Sequence, residues 1–103
     1  MTDAAPEAAA EASIGALRRT LPIANKRGLH ARAAAKFVRT AGQFDAAVRV
    51  SFKGQDVSGL SIMGLMMLAA GIGSSIVLTC SGRQALEAMA ALSALVEGKF
   101  GED

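Results

Sequence analysis

The chain's single histidine, His30, stands in the run Lys26-Arg27-Gly28-Leu29-His30-Ala31-Arg32-Ala33-Ala34. Gly28 lets the backbone turn tightly, and the alanine-rich stretch beyond it favours helix. His30 therefore falls at the start of a helix rather than inside one. The unpaired N–H groups of a first turn can hold phosphate oxygens. The positive end of the helix dipole disfavours a protonated ring and leaves a nitrogen lone pair free to attack. Arg32 can reach back and offset charge on a transferred phosphoryl group. Together these make a nucleophile beside a prepared anion site. A histidine at a helix start is also an ordinary capping residue, and a basic loop can bind a nucleic-acid backbone without any catalysis. Neither alternative accounts for Gly28, His30 and Arg32 falling together.

The elements that must position this loop can be read along the chain. Residues 17–24 set Leu17, Leu21 and Ile23 on one strand face with Arg18 and Thr20 opposite, and Pro22 marks an edge or a strand end. After the polar loop 25–28 comes a helix, Ala31 to Ala41, with Phe37, Val38 and Ala41 at helical spacing and Gly42 where a C-terminal cap belongs. Val48, Val50 and Phe52 alternate with Arg49, Ser51 and Lys53 as a strand, and Lys53-Gly54 turns the chain into a partner near Gln55 to Ser58. Ser61 stands where a helix N-cap is wanted, before a short helix from Ile62 to Ala69 ended by Gly71. A strand at 75–80 leads into Ser81-Gly82-Arg83-Gln84, a capping-box pattern. The last helix, about 83–97, points Leu86, Met89, Leu92, Ser93 and Val96 inward. The order β-α-β-β-α-β-α in a chain this small predicts an α+β two-layer sandwich: an antiparallel sheet with helices on one face. A helix of eight residues cannot bury Ile62, Met63, Leu65, Met66, Met67 and Leu68 together. Methionines are most often core, yet some of these must be exposed, and flexible Met suits a surface meeting several partners.

At 103 residues the chain holds one domain. Four Phe, without Trp or Tyr, supply a poor stacking surface for single-stranded nucleic acid. Cys80, the lone cysteine, forms no internal disulfide and reads as a buried strand residue. One Cys and one His cannot build a structural zinc site. Charge is uneven: residues 1–14 carry three acids and no base, which leaves eleven bases against six acids in 15–103. Lys26, Arg27, Arg32, Lys36 and Arg39 cluster, with no acid between Glu11 and Asp45. This patch fits something acidic, whether protein, phosphate or nucleic acid. The N-terminal stretch MTDAAPEAAAEAS lacks the basic and apolar regions of a secretory signal and reads as a disordered or weakly helical extension.

The 26 residues from Val57 to Gly82 carry no charge, a length that could cross a bilayer. Five glycines and six hydroxyl side chains interrupt the window, and Gly71-Ile72-Gly73-Ser74-Ser75 is a turn signal at its middle. The β-branched Ile76-Val77-Leu78-Thr79-Cys80 then differs from the Met/Leu-rich segment before it. A helix, a turn and a buried strand fit better than a membrane span.

Gly28-Leu29-His30-Ala31-Arg32-Ala33 closely resembles the active-site signature of the HPr family, the histidine-containing phosphocarriers of the bacterial phosphotransferase system. Ser61-Ile62-Met63-Gly64-Leu65-Met66-Met67-Leu68 resembles the family's serine-phosphorylation region, and Ser61 follows His30 by 31 residues, the separation usual there. The resemblance covers residues 16–98, leaving 1–15 as the extension and 99–103 as a C-terminal tail. It implies a βαββαβα open-faced sandwich, with a four-stranded antiparallel sheet and three helices on one face. It further implies a cytoplasmic, monomeric carrier without cofactor or metal, which does not insert into membranes or bind nucleic acid. His30 would accept phosphate on Nδ1 from phosphorylated enzyme I and donate it to an enzyme IIA-type domain, of a sugar-transport or a nitrogen-type regulatory branch. Arg32 would stabilise the phosphorylated and in-transfer states. Ala31, Ala35, Ile62, Met63, Met66 and Met67 match the family's apolar docking rim. Ser61 matches the serine modified by HPr kinase/phosphorylase, and negative charge there should slow phosphorylation of His30. Such a chain is a substrate of partner enzymes rather than an enzyme. It departs from the family at Ala33, where many relatives have proline, at Arg27, where a small polar residue is common, and in its acidic extension.

Overall fold

The computed structural model describes residues 16–102, so the N-terminal extension at 1–15 lies outside the described residues. Four strands, β1 (Ala16–Pro22), β2 (Ala47–Phe52), β3 (Gln55–Ser58) and β4 (Ser75–Ser81), alternate with three helices, α1 (Ala31–Ala41), α2 (Ile62–Met67) and α3 (Ala85–Glu97). The sheet runs β1-β4-β2-β3 and every pairing is antiparallel. This is the open-faced α+β sandwich expected from the sequence.

Register explains why one sheet face is covered. Leu21 pairs with Ile76 and Val50 with Leu78, while Leu17, Cys80 and Val48 align across three strands. Their side chains fall on one face by the two-residue alternation of a strand. Leu21, Ile76, Leu78, Cys80, Val48 and Val50 are buried there against Ala33, Ala34 and Phe37 of α1 and Ala88, Met89, Leu92 and Val96 of α3. Small alanines let both helices approach closely, and Phe37 fills the largest space. Arg18, Thr20 and Arg49, of the opposite parity, face away and are exposed. Burial pushes the Cys80 thiol up to about 11, which leaves it a small apolar residue.

Pro22 ends an edge strand, where its missing N–H disturbs no ladder. Lys53 (φ 49) and Gly54 (φ 83) form the tight turn between β2 and β3. The uncharged window 57–82 divides into the end of β3, α2, a turn and β4. Among the described residues no helix is long and apolar enough to cross a membrane.

Gly42 is the C-cap of α1 as expected, in right-handed geometry (φ −69), with its N–H donating to the Val38 carbonyl. Three local expectations are corrected. α2 ends at Met67, and Ala69 (φ 56) rather than Gly71 turns the chain out of it. The capping box before α3 does not form: Gln84 is the N-cap without a side-chain cap bond, because its Oε1 accepts from the Asp45 N–H instead (2.8 Å). Leu86 is 70% exposed rather than inward. Because α3 begins at residue 85, its buried stripe runs through Ala85, Ala88, Met89, Leu92, Ser93 and Val96, one position off Leu86.

Residues 99–102 fold back onto the domain. A 3₁₀ turn, Lys99–Gly101, buries Phe100 completely. Lys99, Phe100 and Gly101 all adopt positive φ (59, 55 and 75), backbone that burial of the Phe100 ring holds in place.

Candidate functional site

The site is built where the β1–α1 loop meets the turn after α2. Asn25 is fully buried, and its Nδ2 donates to the Gly28 carbonyl (2.9 Å), closing the loop on itself. Gly28 has φ 63, and a Cβ there would stand 2.4 Å from the Ala70 carbonyl oxygen. Both facts demand glycine. The Leu29 N–H donates to that same carbonyl (3.0 Å), and the His30 N–H to the Gly28 carbonyl (2.9 Å). The histidine is thus delivered by a loop clamped to the exit of α2.

His30 occupies the N-cap position of α1 with extended backbone (φ −77, ψ 178), but its side chain makes no cap bond. This removes the reading of His30 as a mere capping residue. No acid stands in the first turn, and the positive end of α1 favours an anion there. The ring turns instead to Glu102, against which Nε2 makes a short hydrogen bond. An ionised carboxylate only accepts, so Nε2 carries the proton and Nδ1 bears the lone pair. Nδ1 has no hydrogen-bond partner among the described residues. The His30 and Glu102 side chains are 13% and 19% exposed. Asn25 Nδ2 also donates to Glu102 Oε1 (3.1 Å), so one amide holds both the histidine loop and the carboxylate.

Burial pushes the Glu102 carboxyl up, but hydrogen bonds from Asn25 and His30, with the charge of Arg27, outweigh it. The net effect holds the group below the ordinary glutamate range. Sequence reasoning found no carboxylate near His30; the fold brings one from 72 residues away. The signal available was Phe100, a large apolar residue between Gly98 and Gly101 that has to be buried somewhere. The described residues contain no cluster of metal-ligating side chains.

Of the five bases expected to form one patch, Lys36 is committed, donating to the Phe100 carbonyl (2.7 Å). Lys26, Arg27, Arg32 and Arg39 are exposed, and Arg32 has no ion-pair partner among the described residues. Ser61 caps α2, its Oγ accepting from the Gly64 N–H (2.9 Å). α1 and α2 pack side by side. Ala31 is exposed and Ala35 half-buried. On α2 only Leu65 is buried, with Leu68 just after it, while Met63 and Met67 are 67% and 72% exposed and Ile62 and Met66 less so. The methionines are surface rather than core.

A family model described as the PTS HPr component phosphorylation site matches residues 17–98. Phosphocarrier protein HPr of Cupriavidus necator is 52% identical over 86 residues, covering 84% of this chain and 97% of the relative. Phosphocarrier protein NPr of Shewanella violacea is 43% identical over 86 residues, covering 84% of this chain and 94% of the relative. The crystal structure of an HPr from Thermoanaerobacter tengcongensis superposes with a TM-score of 0.81 at 42% identity, covering 84% of this chain and 98% of that one.

Proposed function

The chain belongs to the HPr family of phosphotransferase-system phosphocarriers, and from that premise we propose that His30 is its phosphoryl acceptor and donor. In this reading Nδ1 attacks the phosphorus carried by phosphorylated enzyme I and later yields it to an enzyme IIA-type domain. The phosphoryl oxygens meet the free N–H groups of the first turn of α1 and the Arg32 guanidinium. Phosphoryl transfer depends mostly on positioning and charge neutralisation, and a partner's active site can complete a shallow one. The chain acts as a carrier whose chemistry its partners drive. The observation that carries this reading is a histidine at a helix N-terminus whose side chain leaves the backbone donors uncapped.

Ser61 is the proposed regulatory site for an HPr kinase/phosphorylase. A phosphate there would sit at a helix N-terminus, which tolerates it, while adding negative charge to a basic docking face. Ala31, Ala35, Ile62, Met63, Met66 and Met67 form the proposed docking rim. Incubation with phosphoenolpyruvate and enzyme I tests the central claim. One acid-labile phosphate should appear by mass, and none in His30→Ala; an unchanged mass with a competent donor overturns it.

A further inference from the structure

Charge pairing on the domain is lopsided. Arg19, Arg49 and Arg83 are each bound to a carboxylate, of Glu97 (3.1 Å), Asp56 (3.2 Å) and Asp45 (3.0 Å). Glu102 is taken by His30, which leaves Glu87 as the one acid among the described residues outside any ion pair. Lys26, Arg27, Arg32 and Arg39 are exposed, and none has an ion-pair partner among the described residues. Arg32, Lys36 and Arg39 follow the i, i+4, i+7 spacing of one helix face. Lys36 keeps its charge there, because its bond goes to a neutral carbonyl. The acids that would balance this face stand elsewhere in the chain. Asp3, Glu7 and Glu11 recur every four residues in a segment without a base.

We propose that residues 1–15 of this chain lie on the basic face formed by the histidine loop and α1, and occupy it until an acidic partner displaces them. The inference rests on the reading of that face as a docking surface. Chain length permits the contact. From Ala16, β1 carries the chain about 20 Å toward the loop. Glu7 and Asp3 precede Ala16 by nine and thirteen residues, which span up to about 30 and 45 Å when extended. The uncovered face of the sheet is nearer but poorer in free charge. Arg18 and Arg49 flank Thr79 there in the register, and Arg49 is already held by Asp56.

The tether keeps the three acids at an effective concentration on the order of millimolar. Each exposed ion pair is nonetheless weak and screened by salt. Occupancy is therefore partial and reversible, a brake on association rather than a block. A partner's acids meet cations that the segment covers part of the time, so encounter slows while the chemistry at His30 is untouched.

The test uses the full chain. In Ala8→Cys, a nitroxide label on the new thiol reports its neighbours by NMR, and the buried Cys80 stays unlabelled. At about 0.05 M salt the label should broaden the amides of residues 26–39, and at about 0.5 M the broadening should fade. Neutralising the segment by Asp3→Asn, Glu7→Gln and Glu11→Gln should remove the broadening at low salt. The same variant should take phosphate from enzyme I about threefold faster at low salt, with the difference gone at about 0.5 M. Broadening confined to the sheet face around Thr79, or spread evenly over the domain, would overturn the proposal. So would equal uptake by the neutralised and unmodified chains at low salt. The label is read without enzyme I, so failure of the unmodified chain to take phosphate would instead overturn the assignment of His30.

Discussion

Each nitrogen of His30 has its own commitment, and the loop before it makes that division. Nε2 is held by Glu102, while Nδ1 has no partner among the described residues. The ring could not be placed this way if Gly28 were any other residue, since φ 63 and a 2.4 Å approach to the Ala70 carbonyl both forbid a Cβ. Gly28→Ala should therefore destabilise the fold by on the order of 2 kcal/mol, read by denaturant unfolding, and slow phosphate uptake as the loop lifts from Ala70. Retention of both parental values would show that the clamp does not set the ring. The placing of His30 and Ser61 at two helix starts was legible in the sequence because it depends on neighbours within a few residues. The approach of Glu102 to His30 was not, because it depends on where a buried Phe100 turns the chain. The commitment of Lys36 to the Phe100 carbonyl was hidden for the same reason.

At the scale of elements, what is local to a helix start or a strand could be read and what depends on tertiary competition could not. β2, β3 and the turn between them follow from strict alternation and from Lys53-Gly54. The start of α3 does not, because Gln84 is drawn to the Asp45 N–H instead of closing a capping box. That shift places Ala85 and Ala88 inward in place of Leu86. The start of α2 behaves as read, with Ser61 Oγ on the Gly64 N–H at 2.9 Å. Ser61→Ala should thus lower stability by about 1 kcal/mol. Ser61→Asp can still accept from Gly64 and should keep the fold, yet it adds negative charge beside the exposed methionines of the proposed docking face. It should lower the rate of phosphate uptake from enzyme I while leaving the thermal midpoint close to the parental one. Equal uptake rates for Ser61→Asp and the unmodified chain would count against regulation through this position.

Across the whole molecule, charge and apolar surface are separated in sequence and joined in space. All the charge near the site comes from residues 25–39 and from the C-terminal turn, whereas residues 57–82 contribute none and carry Met63 and Met67, 67% and 72% exposed. The clamp of Leu29 on Ala70 (3.0 Å) and the packing of α1 beside α2 bring the two kinds of surface together. In the proposed transient complex such a face would divide the work. Exposed cations would steer an acidic partner and act through the association rate, which salt screens. Exposed methionines would hold the partner once it arrives, and screening touches that contribution little. Raising salt from about 0.05 M to about 0.5 M should therefore slow second-order phosphate uptake from enzyme I by roughly tenfold. Arg27→Gln should flatten that dependence. Met63→Ser with Met67→Ser should leave the salt dependence as it is and speed dissociation of the carrier from its partner, measured by surface-immobilised enzyme I. If the methionine pair altered the salt slope and Arg27→Gln altered only the dissociation rate, the division of roles would be reversed, and the basic loop rather than α2 would be the adhesive part of the face.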